Sequence, residues 1–148
     1  MQADIDFQQL LQALGDGVIV CDANGDITFW NAAATRIFGF TESEAIGQSL
    51  DLIIPQRQRQ RHWDGYHKTM ATGETRYGAD VLRVPAVHKE DKPLSIAFTV
   101  ALLHGPGGEV SAIVALVRDE TERWGEERKL RARLAQLETA QASPASPA

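Results

Sequence analysis

Gly17-Val-Ile-Val-Cys-Asp-Ala-Asn-Gly-Asp-Ile-Thr-Phe-Trp-Asn31 is the stretch that decides the fold. Two apolar runs, 18–21 and 27–30, flank Asp22-Ala-Asn-Gly-Asp26. Asn-Gly between such runs predicts a tight hairpin, because both residues tolerate the positive φ that a two-residue turn needs. Asn31 then stands where a side-chain oxygen can cap a helix over the small residues 32–34. The result is a compact unit of strand, turn, strand and short capped helix.

Upstream, residues 4–14 carry Phe7, Leu10, Leu11 and Leu14 at helical spacing, and Gly15 and Gly17 stop the pattern. This short amphipathic helix needs a surface to lie on. Downstream, Gly39 ends the capped helix. Thr41 and Glu44 have capping-box spacing for another helix of a turn or two, closed by Gly47. Leu50-Asp-Leu-Ile-Ile-Pro55 reads as a buried connector. Pro55 suits the first turn of a longer helix that runs to about Thr72 and is closed by Gly73. Arg57, Arg59 and Arg61 in its first turns oppose the helix dipole, so folding alone gives no reason for them; they form a solvated face or meet an anionic group.

Three strands follow. The first covers 79–87, and Pro85 removes a ladder donor, which places it at a sheet edge. The second covers 94–103, with Leu94, Ile96, Phe98, Val100 and Leu102 on one face. After the turn His104-Gly-Pro-Gly-Gly108, residues 110–118 are apolar almost throughout, which predicts a central strand covered on both faces. From Glu120 to about 140 the chain is charged and helical, and 141–148 is a low-complexity, disordered tail. The expected division is therefore an N-terminal helix over 1–15, a core over 16–119, an exit helix over 120–140 and the tail.

At 148 residues with a formal charge of −5, the chain has the size of one domain and the wrong sign for non-specific nucleic-acid binding. A single cysteine, Cys21, allows no internal disulfide. No run is long and apolar enough to span a membrane, and the N-terminus does not read as a signal peptide. A cytoplasmic protein without membrane or nucleic-acid partners is expected. No nucleophile–base arrangement, zinc ligand set or phosphate-binding glycine loop is visible, so no enzyme is expected.

The element order implies an α+β fold: a five-stranded antiparallel sheet with short helices over one face and flanking N- and C-terminal helices. Gly17-Val-Ile-Val-Cys-Asp, Gly25-Asp-Ile-Thr-Phe-Trp-Asn-Ala-Ala, Phe38-Gly-Phe-Thr-Glu-Ser-Glu-Ala-Ile-Gly47, Met70-Ala-Thr-Gly-Glu and Val117-Arg-Asp-Glu-Thr-Glu122 carry a resemblance to the PAS sensor family over roughly residues 5–122. The resemblance implies strand order 2-1-5-4-3, a pocket between sheet and helices, and a signalling helix that leaves the last strand. Its light-sensing flavin subtype places a reactive cysteine in the helix cluster. Here Cys21 lies on the first strand, so that subtype is rejected.

On the longer helix, Trp63, Tyr66 and Met70 form one apolar stripe with His62 and His67 on its two shoulders. The chain also resembles the oxygen-sensing haem subgroup of the family, whose proximal histidine falls on His62 when the helices are aligned without gaps. His67 is the fallback ligand. Haem b would then sit between His62 and a wall of Ile96, Phe98 and Val100, with Trp63, Tyr66 and Met70 lining the helix side. Arg83 is nearest the place of that subgroup's distal arginine. Another small apolar ligand, or a core filled by side chains including Trp63, fits the same stripe. No other metal site is expected.

Asp119-Glu-Thr121 matches the family's short Asp-x-Thr hinge, where Asp119 and Thr121 tie the exit helix to the sheet. Leu130, Leu134 and Leu137 have heptad-like spacing over about two heptads, which points to a homodimer helped by other surfaces. With no output module after the helix, signalling is expected to act in trans on a partner protein. The reading is a stand-alone sensor; its alternative is a ligand-free PAS module for dimerisation and protein interaction.

Overall fold

A computed structural model describes residues 4–75 and 80–142. The elements run α1 (Phe7–Ala13), β1 (Gly17–Asp22), β2 (Ile27–Trp30), α2 (Ala32–Phe38), α3 (Glu42–Ala45), two 3-10 turns (Leu50–Ile53 and Gln56–Gln58), α4 (Arg59–Thr72), β3 (Leu82–Val87), β4 (Pro93–His104), β5 (Val110–Asp119) and α5 (Thr121–Ala142). The five strands form one sheet in the order β2-β1-β5-β4-β3, with antiparallel pairing throughout. This is the α+β architecture expected from the sequence. Pro85 lies on the edge strand β3. The expected start of that strand at Ala79 and the tail over 143–148 lie outside the described residues.

The hairpin forms, but not as a two-residue turn. Only Gly25 has positive φ, at 84°, whereas Asn24 does not. Asp22 organises a longer loop instead: its Oδ1 accepts from the amides of Asn24 (2.9 Å) and Asp26 (3.0 Å). A register shift between Val20 and Cys21 takes up the extra residue. An aspartate side chain that mimics a backbone turn competed successfully with the Asn-Gly preference.

The core gathers on the helix-covered face of the sheet. Ile19, Cys21, Ile27 and Trp30 meet Ala34 and Phe38 of α2, and Ile53, Tyr66, Ile96, Ile113 and Val117 complete the cluster. The Trp30 and Phe38 rings are 5.6 Å apart. The Trp30 indole donates to Thr35 Oγ1 (3.0 Å) and to the Phe40 carbonyl (3.1 Å), so its one polar atom is satisfied inside an apolar cluster.

β5 is central, as expected, but it is not covered on both faces. Leu116 on its outer face is 40% exposed, and Leu103, on the same face of β4 opposite Ala112, is 48% exposed. The outer sheet face is covered only in part: Val18, paired with Leu116, is buried, while Leu116 itself stays open. α1 does not cover it. Leu11 and Leu14 are half-buried, whereas Phe7 and Leu10 remain exposed.

Candidate functional site

α4 lies over the sheet with Tyr66 as its one buried residue. The Tyr66 hydroxyl donates to the Asp22 carbonyl, which fastens the middle of α4 to the β1–β2 loop. Burial, aided by Cys21, Asp22 and Asp26, pushes the Tyr66 phenol well above its usual range. Trp63 is anchored one turn earlier: its indole N–H donates to Asp51 Oδ1 at 2.7 Å, and its ring lies over Gly25. Asp51 belongs to the first 3-10 turn, so this bond joins a third segment to the same corner. Arg59 closes the corner from the other side, donating to the carbonyls of Ile54 (3.1 Å) and Asp51 (3.3 Å). That gives Arg59 the folding role that spacing did not reveal, while Arg57 and Arg61 stay exposed.

The two histidines separate. His67 is exposed. His62 is half-buried, its ring 4.6 Å from Trp63 and 5.9 Å from Tyr66. Its Nδ1 is fully buried and has no hydrogen-bond partner. Burial holds the imidazole's pKa below its usual value, against a weaker upward pull from the Asp51 carboxylate. The neutral ring is therefore the favoured state, and it presents a lone pair or N–H inside the fold.

This shift sets a pH dependence. The unfolded chain takes up a proton at the ordinary histidine value near 6.5, whereas the folded chain takes it up at lower pH. Below that value the unfolded state holds more protons, so stability is expected to fall as pH drops, by at most about 1.4 kcal/mol per pH unit for one such group. In urea titrations between pH 7 and 5, His62→Gln should flatten that loss and His67→Gln should not. Equal slopes in both variants would refute the assignment.

On the core face of the sheet, β3 and β4 present Val84, Leu94, Ile96, Phe98, Val100 and Leu102. Only Ile96 among these is fully buried; the others, and Met70 on α4, are partly accessible. Arg83 is not part of this face. It pairs with Ala97 in the ladder, points to the other face and donates to Glu120 Oε2 at 3.0 Å. This inner face is thus apolar, without the arginine that the haem subgroup places on it. Two clefts open elsewhere on the surface: one of about 580 Å³ beside Pro55, Pro85 and Pro93, and one of about 590 Å³ between β3 and the first turns of α5.

The hinge residues meet. Asp119 Oδ1 accepts from the Thr121 amide (2.9 Å) and hydroxyl (2.5 Å). Thr121 Oγ1 in turn accepts from the Ser95 amide at 3.0 Å, and the Glu120 amide donates to the Ser95 carbonyl at 2.8 Å. The exit helix is therefore tied to β4, one strand away from the strand it leaves. His88 is half-buried against Gly39, where an added Cβ would meet its imidazole.

A five-stranded antiparallel sheet with short helices over its apolar face and an exit helix hinged to β4 define an α+β domain. The chain belongs to the PAS family: the PAS fold model matches residues 5–119. It is 31% identical over 135 residues to the sensor protein FixL of Bradyrhizobium diazoefficiens, covering 89% of this chain and 25% of FixL. It is 23% identical to the oxygen sensor protein DosP of Escherichia coli, covering 78% of this chain and 14% of DosP. The chain thus spans a quarter or less of these relatives. The PAS domain of a Colwellia psychrerythraea protein superposes with a TM-score of 0.69 at 19% identity, covering 80% of this chain and 99% of that one. No helix among the described residues is long and apolar enough to cross a membrane.

Proposed function

We propose that this PAS domain is the input unit of a signalling pathway, and that it holds haem b through His62 in the space between α4 and the inner face of β3 and β4. The observation that carries this reading is the inward imidazole of His62, with a buried, unpartnered ring nitrogen and a neutral state favoured by burial. A neutral imidazole is the form that ligates iron, and the partly accessible wall of Val84, Phe98 and Val100 is apolar enough to receive a porphyrin face. Trp63 is committed to the β1–β2 corner by Asp51 and Gly25. Similarity to FixL and to an oxygen sensor favours haem over another small apolar ligand.

Bound haem would supply a site where a diatomic gas or a change of iron oxidation state alters the fit between α4 and the sheet. The chain's own residues carry the response. Ile96 lies on the inner wall, and the adjacent Ser95 backbone holds both Glu120 and Thr121. A displacement of β4 by an occupant is therefore felt at the base of α5. Binding that favours one arrangement of β4 and α5 shifts their populations, and a partner protein in trans reads the helix. The chain is read as a regulator without catalysis of its own, working in the cytoplasm.

The purified protein, reconstituted with haemin and freed of excess, is expected to show a Soret band. His62→Ala should abolish the band and His67→Ala should retain it. Absence of a band in the parent protein would remove the haem reading. The chain would then be a ligand-free PAS interaction module, for which the filled corner around Trp63 already provides the packing.

A further inference from the structure

Trp124 stands at the end of the first turn of α5 and is 44% exposed. An indole left open on a helix contributes little to folding. The guanidinium of Arg131 lies over its ring, 5.9 Å from the centre. Both residues line the cleft of about 590 Å³ that opens between α5 and β3. We propose that this cleft is a binding site for a small aromatic carboxylate, separate from the chamber under α4. The inference does not depend on what that chamber holds.

Charge selects the anion. Three guanidiniums line the cleft, those of Arg83, Arg123 and Arg131, against two carboxylates, those of Glu120 and Glu127. The carboxylates are already engaged. Arg83 donates to Glu120 at 3.0 Å, and Arg123 lies 3.6 Å from Glu120 and 3.4 Å from Glu127. Arg131 bridges no carboxylate among the described residues; its contact is with the Trp124 ring. The cleft therefore carries one spare positive charge on a chain whose formal charge is −5. The planar fork of an arginine matches a carboxylate with two parallel hydrogen bonds. A phosphate dianion needs more. It would have to draw Arg83 or Arg123 away from Glu120, whose side chain is only 15% exposed and would lose its partner.

The indole selects the ring. An aromatic group laid on the open part of Trp124 gains stacking and brings its carboxylate within reach of Arg131. On the sheet side, Val84, Pro85 and Ile96 give the cleft an apolar lining for the rest of the ring. The volume lies within the range of about 300–1,000 Å³ usual for small-molecule sites, so an acid of two fused rings fits.

An occupant would touch β3, β4 and α5 together. Ser95 lines the same cleft, and its backbone holds the Glu120 amide at 2.8 Å and the Thr121 hydroxyl at 3.0 Å. A ligand bound here stabilises the arrangement in which α5 rests against β4, and gives the exit helix an input of its own.

The test uses the full chain and 2-naphthoate, followed by calorimetry at about 50 mM salt. A dissociation constant on the order of 100 µM is expected, and no binding at about 5 mM overturns the proposal. 2-Naphthamide lacks the charge, cyclohexanecarboxylate lacks the aromatic face, and 2-naphthyl phosphate carries the wrong one; each should bind about tenfold more weakly. Equal or tighter binding of any of the three overturns the ligand class. Trp124 and Arg131 are exposed, so Trp124→Leu and Arg131→Gln should fold, and each should weaken 2-naphthoate about tenfold. Arg57→Gln, in the other surface cleft, should leave it unchanged. If either Trp124→Leu or Arg131→Gln binds like the parent, the probe sits elsewhere and the site is overturned; a loss in Arg57→Gln as large as theirs does the same. Bound probe should slow amide exchange at Glu120 and Trp124, and slowing confined to α4 would assign the probe to the chamber instead.

Discussion

Asn31→Ala is expected to destabilise the domain by about 3–4 kcal/mol and lower its melting temperature by roughly 10 °C. Asn31 is 1% exposed, the one buried polar residue among the described residues. Its Oδ1 accepts from the Val18 amide at 2.8 Å and the Ala34 amide at 3.0 Å. Its Nδ2 donates to the carbonyls of Leu11 (2.8 Å) and Asp16 (3.1 Å). One side chain thus caps α2, starts β1 and holds the end of α1. An ordinary helix cap contributes about 1 kcal/mol. Alanine here would also strand two buried amides and two carbonyls, each costing on the order of 1 kcal/mol or more when unpaired. Asn31→Asp separates the contributions: it keeps the two acceptor bonds but turns a carboxylate toward the carbonyls of Leu11 and Asp16. It should loosen α1, seen as faster amide exchange over 7–13, while the amides of Val18 and Ala34 stay protected. A loss below about 1 kcal/mol in Asn31→Ala would mean that water replaces the side chain and that Asn31 is only a cap.

That result would also mark how far the sequence could be read. The Asn31 cap, the edge position of Pro85 and the terminators Gly39 and Gly73 are local signals, each set by a backbone preference or a missing donor, and each stands in the structure; the strand order, which only the family resemblance implied, stands as well. The link from Asn31 to Leu11 and Asp16 spans up to 20 residues, and no local pattern carries it. The same holds for Asp51, which reads as part of an apolar connector yet receives the Trp63 indole and faces Arg59. Helical periodicity placed His62 and His67 on opposite shoulders of one stripe but could not choose between them. The choice depends on which shoulder faces the sheet, and that is fixed by Tyr66 reaching Asp22 across 44 residues. Arg83 shows the converse limit. A one-residue difference in register decides whether a strand side chain faces the core or the other side of the sheet, and only the ladder with β4 settles it.

Gly25→Ala is expected to cost about 3 kcal/mol, and the reason lies in Trp63 rather than in the turn alone. Gly25 has φ of 84°, where a side chain is strained by roughly 1 kcal/mol. An added Cβ would also overlap the outer edge of the Trp63 ring. The ring cannot simply swing away, because its N–H is held by Asp51 at 2.7 Å and its faces meet His62, Tyr66 and His67. Moving it breaks the bond that joins α4 to the first 3-10 turn, adding about 1–2 kcal/mol. A double-mutant cycle isolates this share. Trp63→Ala removes the obstacle, so Gly25→Ala made in that background should cost only the backbone strain, leaving a coupling of about 2 kcal/mol. If the two substitutions add without coupling, the ring is not fixed over the turn. The cycle bears on the sensor as well. In Gly25→Ala the displaced indole must turn toward His62 or toward solvent. If it turns inward, it enters the space assigned to the porphyrin, and haem uptake should fall while Trp63→Ala retains it. Uptake that is unchanged in Gly25→Ala and lost in Trp63→Ala would make the indole a wall of the chamber instead of an anchor beside it.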